Sequence, residues 1–592
     1  MAIAAQIQGI VTKSLTELYK QPFAGNQFQV SRTKPEFEGD YTILLFGLIK
    51  QLKKAPDVLG NELGSFLVKN NPQLFSSYNI IKGFLNLVVT DNYWTTVLNH
   101  HYNNPAYGKQ PAKEEKVMVE YSSPNTNKPL HLGHLRNNFL GWSTAAILQA
   151  NGYSIVKTCI ANDRGIHICK SMVAWQLFAN GASPESTGTK GDHFVGDYYV
   201  MFGEVLKKQV IEMVEAGATK DEAEKQAPYM KMAQQMLVDW EAGKPDVIEL
   251  WKKMNSWVYS GFDITYKRIG SDFDKVYYES ETYILGKQLV EQGLKKGVFI
   301  KKEDGSVWID LTANGLDEKI VQRKDGTAVY ITQDIGLAVN KYEEYKCDQS
   351  IYVVGDEQNY HFKVLKLICE KLGLPSAKGI YHLSYGMVEL PTGRMKTREG
   401  TVVDADDIIN EMVNVAEQKT IELGKVKDFT TEELKELYDT IGLGALKFFL
   451  MRVDPKKRML FNPEESIDFH GFTGPFIQYT HARVKSILRK ECINTSSIDS
   501  DTGLLPLEKE LLVSLEEYDS VIEQAAQEHN PSVIANYVFS IAKSFNSFYT
   551  ELSVTNADSE EKKQLRLRLC QMTANIITSC MQLLGIKVPE RM

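Results

Sequence analysis

The stretch Val119-Glu-Tyr-Ser-Ser-Pro-Asn-Thr-Asn-Lys-Pro-Leu-His-Leu-Gly-His-Leu-Arg136 decides how this region folds. It grows out of a short β-type run at 116–121 and turns around Pro124 and Pro129. A helical pattern follows over 134–151, Gly152 stops it, and a second β-type run occupies 153–160. Strand, loop, helix and strand in this order read as a βαβ unit. Such a unit predicts a parallel sheet with its ligand at the C-terminal ends of the strands. The unpaired N–H groups at the helix start favour an anion. His131 and His134, three apart, turn both imidazoles to one side. Gly133 removes a side chain where a flat ligand ring could lie on the backbone. Two donors at a helix start suit the triphosphate of ATP as a phosphorus becomes five-coordinate. An arbitrary His-x-x-His is more often an ordinary surface or core pair. The glycine, the strand before it and the Pro-Asn-x-x-Lys-Pro approach favour the phosphate reading.

Outward from this motif the chain divides into three blocks. Residues 1–112 mix helical and β patterns, as in Asn79-Ile-Ile-Lys-Gly-Phe-Leu-Asn-Leu-Val-Val-Thr90, and end in a polar linker around Pro105, Gly108 and Pro111. Residues 113–407 hold the βαβ pattern, a charged and helical insertion at 181–262, and β patterns near 306–310, 328–331 and 350–354. Residues 408–592 read as all-helical, with runs at 431–450, 476–490, 508–528, 532–552 and 562–584. The predicted fold class is α/β: a parallel-sheet domain with insertions, an α+β N-terminal domain and an all-helical C-terminal domain.

A length of 592 residues exceeds what one core can organise, which agrees with several domains. With 43% hydrophobic and 24% charged residues the chain reads as a globular protein, and no stretch is long and apolar enough to span a bilayer. No secretion-type start is present, so the cytoplasm is expected. The seven cysteines are scattered without a Cys-x-x-Cys pair, which points to reduced thiols and away from structural zinc. A net charge of −8 neither draws the chain to nucleic acid nor excludes a local basic face.

His131-Leu132-Gly133-His134 resembles the His-Ile-Gly-His signature of class I aminoacyl-tRNA synthetases, and the stretch from Glu120 to Arg136 is similar to that of arginyl-tRNA synthetases. Met395-Lys-Thr-Arg-Glu-Gly-Thr-Val-Val403 resembles the second signature of the class, usually Lys-Met-Ser-Lys-Ser. Gly474-Pro-Phe-Ile-Gln-Tyr-Thr-His-Ala-Arg483 resembles the opening of the helical anticodon-binding domain, and Leu583-Leu-Gly-Ile-Lys-Val-Pro-Glu-Arg-Met592 the family's ending.

The resemblance implies a Rossmann-like catalytic domain over 113–407 and a stem-contact and anticodon-binding module over 408–592. Residues 1–112 would be an extra domain touching the outer corner of the tRNA. The implied reaction has two steps. L-Arginine attacks the α-phosphate of ATP, which carries Mg²⁺, to give arginyl-adenylate; the 2′-hydroxyl of the terminal adenosine of tRNA(Arg) then takes the arginyl group. Activation that requires tRNA is also implied. A guanidinium is matched by carboxylates. The family's arginine contacts fall on Glu120, Tyr330 and Asp334 for the guanidinium and on Asn125 for the α-substituents. Gln358 falls on an amino-acid or adenosine contact. ATP contacts fall on His131, Gly133, His134, Gly355, Asp356, Met395 and Lys396, with His361 either a contact or a packing residue. Tyr479 and Arg483, with Lys485, Arg489 and Lys490, are the anticodon candidates. A monomer without bound zinc and without a membrane partner is expected.

The run Arg394-Met-Lys-Thr-Arg398 departs from the second signature, because Thr397 stands at the place of its second lysine. A threonine cannot neutralise developing phosphate charge. Lys128, three residues before His131, is the first substitute and Lys396 the second, with Arg398 after them. Three rivals are weaker. A cysteinyl enzyme would bring zinc-type ligands, a small nucleotidylyltransferase would not need the C-terminal module, and a non-catalytic relative would be expected to have lost part of the signatures.

Overall fold

The computed structural model describes residues 3–34, 36–390, 403–424, 428–494, 496–499 and 502–592. Lys116–Glu120 (β1) buries Val117, Met118 and Val119 in succession, the pattern of a strand covered on both faces. Leu132–Ala150 (α1) and Ser154–Ala161 (β2) complete the expected βαβ unit, with Lys116 opposite Ser154 and Glu120 opposite Thr158 in parallel register. Gly141 on α1 allows the close crossing: a Cβ there would lie 2.4 Å from Tyr121.

Lys275–Tyr278 (β3), Gln349–Gly355 (β4) and Ile380–Tyr385 (β5) extend the sheet to five parallel strands in the order β5-β4-β1-β2-β3. The chain builds outward from β1 to β3 and resumes at β4 on the other side of β1. That reversal opens a crevice at the strand C-termini between β1 and β4. Between β2 and β3 stand Ile166–Phe178 (α2), Gly191–Glu215 (α3) and Pro245–Ile269 (α4), with two shorter helices between α3 and α4. The helical run expected over 220–241 breaks after Gln226, because Pro228 starts a new helix instead of continuing the old one. After β3 come Tyr330–Tyr345 (α5), Asn359–Leu372 (α6), Ala405–Leu423 (α7) and Thr431–Met451 (α8).

Two β readings change. Of 328–331 only Ala328 makes a bridge, to Gln322, and α5 begins at Tyr330. Val307–Ile309 is a strand, but in a separate antiparallel sheet with Ile300–Lys301 and Lys319–Gln322. The strands β3 and β5 were not anticipated.

Residues 111–467, with 529–532, form one compact unit, so α7 and α8 belong with the parallel sheet. The other unit joins residues 1–110 to 468–528 and 533–592. Its N-terminal part is an antiparallel sheet in the order Val30–Arg32, Tyr41–Leu44, Phe84–Val89, Phe75–Ile81, covered by the helices Ile3–Tyr19 and Pro56–Asn70. Its helices Gly474–Leu488, Pro506–Glu516, Tyr518–Glu528, Pro531–Glu551 and Glu560–Leu583 bury apolar faces as well. No helix among the described residues is long and apolar enough to cross a membrane.

Candidate active site

His131 caps α1, and the cap sets the chemistry of both signature histidines. Gly133 N–H donates to His131 Nδ1 at 3.1 Å, and His131 N–H donates to His134 Nδ1 at 3.2 Å. A ring nitrogen that accepts carries no proton, so each neutral imidazole keeps its hydrogen on Nε2. The two rings lie 3.8 Å apart between centroids. Burial, reinforced by the charge of Lys128, lowers the His131 pKa to about 4; burial, His131 and Lys128 hold His134 well below the usual histidine range. At neutral pH the pair is therefore two uncharged Nε2–H donors. A Cβ on Gly133 would press on the His131 ring at 3.0 Å, so the glycine also lets that ring fold back onto its own helix.

The loop before the motif is fixed from below. Ser122 is buried with φ +60°, a left-handed backbone that costs a non-glycine residue energy. It is held there by its N–H to Asn137 Oδ1 at 2.6 Å and its hydroxyl against Tyr266 at 2.7 Å. Asn137 Nδ2 in turn donates to Val353 O at 2.6 Å, tying α1 to β4. Arg136 donates to the carbonyls of Gly386, Lys457 and Pro455 at 2.6, 3.0 and 3.2 Å.

Beside the crevice lies a cavity of 1180 Å³ lined by Asn125, Tyr330 and Asp334, three of the expected arginine contacts. Asn125 bridges Asn162, and Tyr330 and Asp334 sit in the first turns of α5. Asp334 Oδ2 lies 2.6 Å from His361 Nε2, so His361 is the partner of that carboxylate. Glu120 lies deeper: its Oε2 is bound by the buried Lys341, and it is not among the residues lining the cavity. Lys341 sits 5.4 Å from the Tyr277 ring centroid and 5.0 Å from that of Tyr352. Gly355 ends β4 buried, and Asp356 and Gln358 belong to the turn after it; Gln358 is exposed, and none of the three lines the cavity. Met395 and Lys396, with Arg394, Thr397 and Arg398, lie outside the described residues.

Two residues went unnoticed in the sequence. Glu279 lines the cavity, and burial raises its pKa, with Arg164 opposing and Asp163 and Asp334 adding to the shift. Asp163 is buried and accepts from Ser280 N–H at 2.8 Å, Ser280 Oγ at 2.7 Å and Tyr259 OH at 2.9 Å, which fixes the turn that presents Glu279. A carboxylate directly after the apolar run of β3 was the available signal. Arg164, also lining the cavity, bonds Glu241 at 2.9 Å and lies 3.9 Å from the Tyr283 ring centroid.

In the other unit, Arg483 lies 4.7 Å from the Tyr479 ring centroid and donates to Asn546 Oδ1. Lys485 pairs with Glu590 at 3.1 Å, Arg489 donates to Glu590 O at 2.8 Å, and Lys490 is exposed.

Three family models match in chain order: the arginyl tRNA synthetase N-terminal domain over 5–89, the catalytic domain of class I (R) tRNA synthetases over 96–462, and the DALR anticodon binding domain over 477–592. Among similar proteins, an arginine–tRNA ligase of Parabacteroides distasonis is 50% identical with all of both chains covered. One from Amoebophilus asiaticus is 52% identical over 95% of each. The solved Thermus thermophilus arginyl-tRNA synthetase superposes with a TM-score of 0.81 at 25% identity over all of both chains. The Plasmodium falciparum arginyl-tRNA synthetase shares the fold, with a TM-score of 0.77 at 18% identity over 100% of this chain and 99% of that one. The signature pair at the head of α1, the parallel sheet beneath it and these full-length matches together place the chain in the class I arginyl-tRNA synthetases.

Proposed function

We propose that the 1180 Å³ cavity receives L-arginine with its guanidinium against Asp334 and Glu279 and its α-substituents toward Asn125. The chain as a whole is an arginine–tRNA ligase. The observation that carries the arginine assignment is two carboxylates on one wall system, one oriented by His361 and the other by the Asp163–Ser280 turn. A planar guanidinium satisfies carboxylates bidentately, and a lysine ammonium cannot copy that fit. Tyr330 closes the same side. Glu120, with Lys341 on its Oε2 and off the cavity lining, stands behind this wall at the end of β1 as a further guanidinium candidate.

ATP enters as its magnesium complex, a substrate rather than a resident ion, and no protein-bound zinc is part of this reading. The Nε2–H groups of His131 and His134 donate to the phosphates as charge builds in the transition state. Gly133, Gly355 and Asp356 are assigned to the nucleoside, Gln358 to an amino-acid or adenosine contact, and Met395 and Lys396 to the second signature. Lys128, whose charge acts on both imidazoles, supplies the cation that Thr397 cannot. The terminal 2′-hydroxyl of tRNA(Arg) then attacks the acyl carbon. Residues 1–112 are assigned to the outer corner of the tRNA, and Tyr479 and Arg483 to anticodon bases. The protein acts as a cytoplasmic monomer.

Amino-acid-dependent ATP–pyrophosphate exchange, measured with each amino acid and with or without total tRNA, tests the reading. Arginine alone should support exchange. Asp334→Asn should raise the arginine KM at least tenfold and leave the ATP KM within twofold, roughly what losing a charged hydrogen bond costs. A normal arginine KM in Asp334→Asn removes that residue from the site.

A further inference from the structure

The insertion between β2 and β3 reaches the signature histidines through residues 403–406. Leu132 N–H donates to Val403 O and Ala405 N–H donates to Leu130 O, both at 2.9 Å, so Asp404 and His131 face each other in an antiparallel bridge. The far side of this short stretch is gripped by the insertion. Asp406 Oδ2 accepts from Lys190 Nζ at 2.7 Å and lies 3.2 Å from His193 Nε2; its Oδ1 accepts from Thr265 Oγ1 at 3.1 Å. Lys190 Nζ also donates to Thr265 Oγ1 at 2.6 Å and to Asp192 Oδ2 at 3.0 Å, so its three donors are all engaged. Asp404 Oδ2 lies 3.5 Å from His193, while its Oδ1 caps α7 through Asp406 N–H at 2.8 Å.

The packing leaves this cluster little room to shift. A Cβ on Gly191 would lie 1.9 Å from Trp257 O, and one on Gly261 would lie 2.3 Å from Asp192 Oδ1. A Cβ on Gly196 would touch Pro129 at 3.0 Å, so α3 also abuts the approach to the signature. Asp192, His193 and Asp406 have the spacing of a cation site, and the ammonium of Lys190 already lies among them. The cluster is partly buried, and ion pairs sheltered from water, though they add little net stability against well-packed apolar groups, penalise a displacement that separates the charges. Such a cluster fixes a register.

We infer that Lys190, His193 and Asp406 form a positioning clamp by which the insertion holds residues 403–405, and through them His131 and His134, in the geometry of the activation step. The three are positioning residues; none is assigned contact with arginine or ATP. Misplacing reacting groups by about 1 Å can cost about 10²-fold in rate, and the clamp acts on the backbone that sets this distance.

The test uses the full-length enzyme in tRNA-supplemented pyrophosphate exchange. Lys190→Met and the isosteric Asp406→Asn should each lower kcat by roughly 10–10²-fold with the arginine KM within twofold. Lys190→Arg should recover most of that loss, because it keeps a cation among the carboxylates. Asp406→Asn alone decides the matter if Lys190→Met does not fold. An unchanged kcat in folded Asp406→Asn overturns the clamp. So does a Lys190→Arg no better than Lys190→Met with arginine KM and thermal stability degraded together, which marks a general structural role. The inference rests on reading His131 and His134 as phosphate donors, so His131→Ala runs in parallel. If its kcat is unchanged, that reading fails; if its kcat falls while that of Asp406→Asn does not, only the clamp fails.

Discussion

Because Gly133 and His131 each give a backbone N–H to a ring nitrogen, the imidazoles of His131 and His134 are left with their Nε2 hydrogens for a ligand. Neutral donors suit a phosphate that gains charge only in the transition state, since they do not over-stabilise bound ATP. His131→Ala and His134→Ala should each lower kcat for adenylate formation by roughly 10²–10³-fold and hardly alter the arginine KM. Burial keeps His131 near 4 and His134 well below the usual histidine range, so neither ring gains a proton as pH falls from 8 to 6. Stopped-flow adenylate formation should therefore show no inflection from this pair in that window. An inflection near 6.5 that vanishes in His131→Asn would refute the neutral pair. The sequence revealed these histidines because spacing, glycine and a preceding strand all act locally. For Glu279 it offered only a carboxylate after an apolar run, because the residue's place in the cavity depends on β3 joining the sheet beside β2; of the pairing of His361 with Asp334 across two helices it gave no sign.

At the scale of elements, α5 shows what local pattern can and cannot tell. Ala328-Val-Tyr-Ile331 has the composition of a strand, yet the helix begins at Tyr330, where tertiary packing overrides a short β-branched run. Once helical, Asp334 and Lys341 stand two turns apart on one face, about 10 Å along the axis, one lining the cavity and the other buried on Glu120. The helix thus carries a carboxylate on the cavity wall and, two turns on, the cation that pairs with Glu120 at the end of β1. Lys341→Met should leave Glu120 buried without its partner and destabilise the sheet unit by about 3–5 kcal/mol. Adding Glu120→Gln should recover most of this loss, because no unpaired charge remains. Thermal unfolding of the single and double variants decides the point. A double variant no more stable than Lys341→Met would mean that the lost packing between Tyr277 and Tyr352, and not the charge, sets the cost.

At the scale of the molecule, residues 1–110 and the C-terminal helices share one compact unit although more than 350 residues separate them in the chain. A reading by segments treats the first block as a domain of its own, since nothing local announces a partner so far away. The contacts are specific: Lys509 pairs with Asp40 at 3.0 Å, Arg568 donates to Asn99 Oδ1, and Ile3 N–H donates to Glu516 Oε1 at 2.7 Å. Glu516 makes this junction sensitive to pH. Burial, opposed by the Ile3 N–H and reinforced by Glu517 and Asp519, raises its pKa from 4.5 to about 7. Between these values the folded form holds a proton that the unfolded chain has released. Stability from this group is therefore complete below about 4.5, falls as pH rises toward 7, and is lost above it. A shift of this size corresponds to about 3 kcal/mol. Glu516→Gln keeps an acceptor for Ile3 N–H and cannot ionise, so its thermal midpoint should exceed that of the parent at pH 8 and match it at pH 5. Equal midpoints at pH 8 would mean that Glu516 stays ionised in the folded unit, its charge met by the Ile3 N–H.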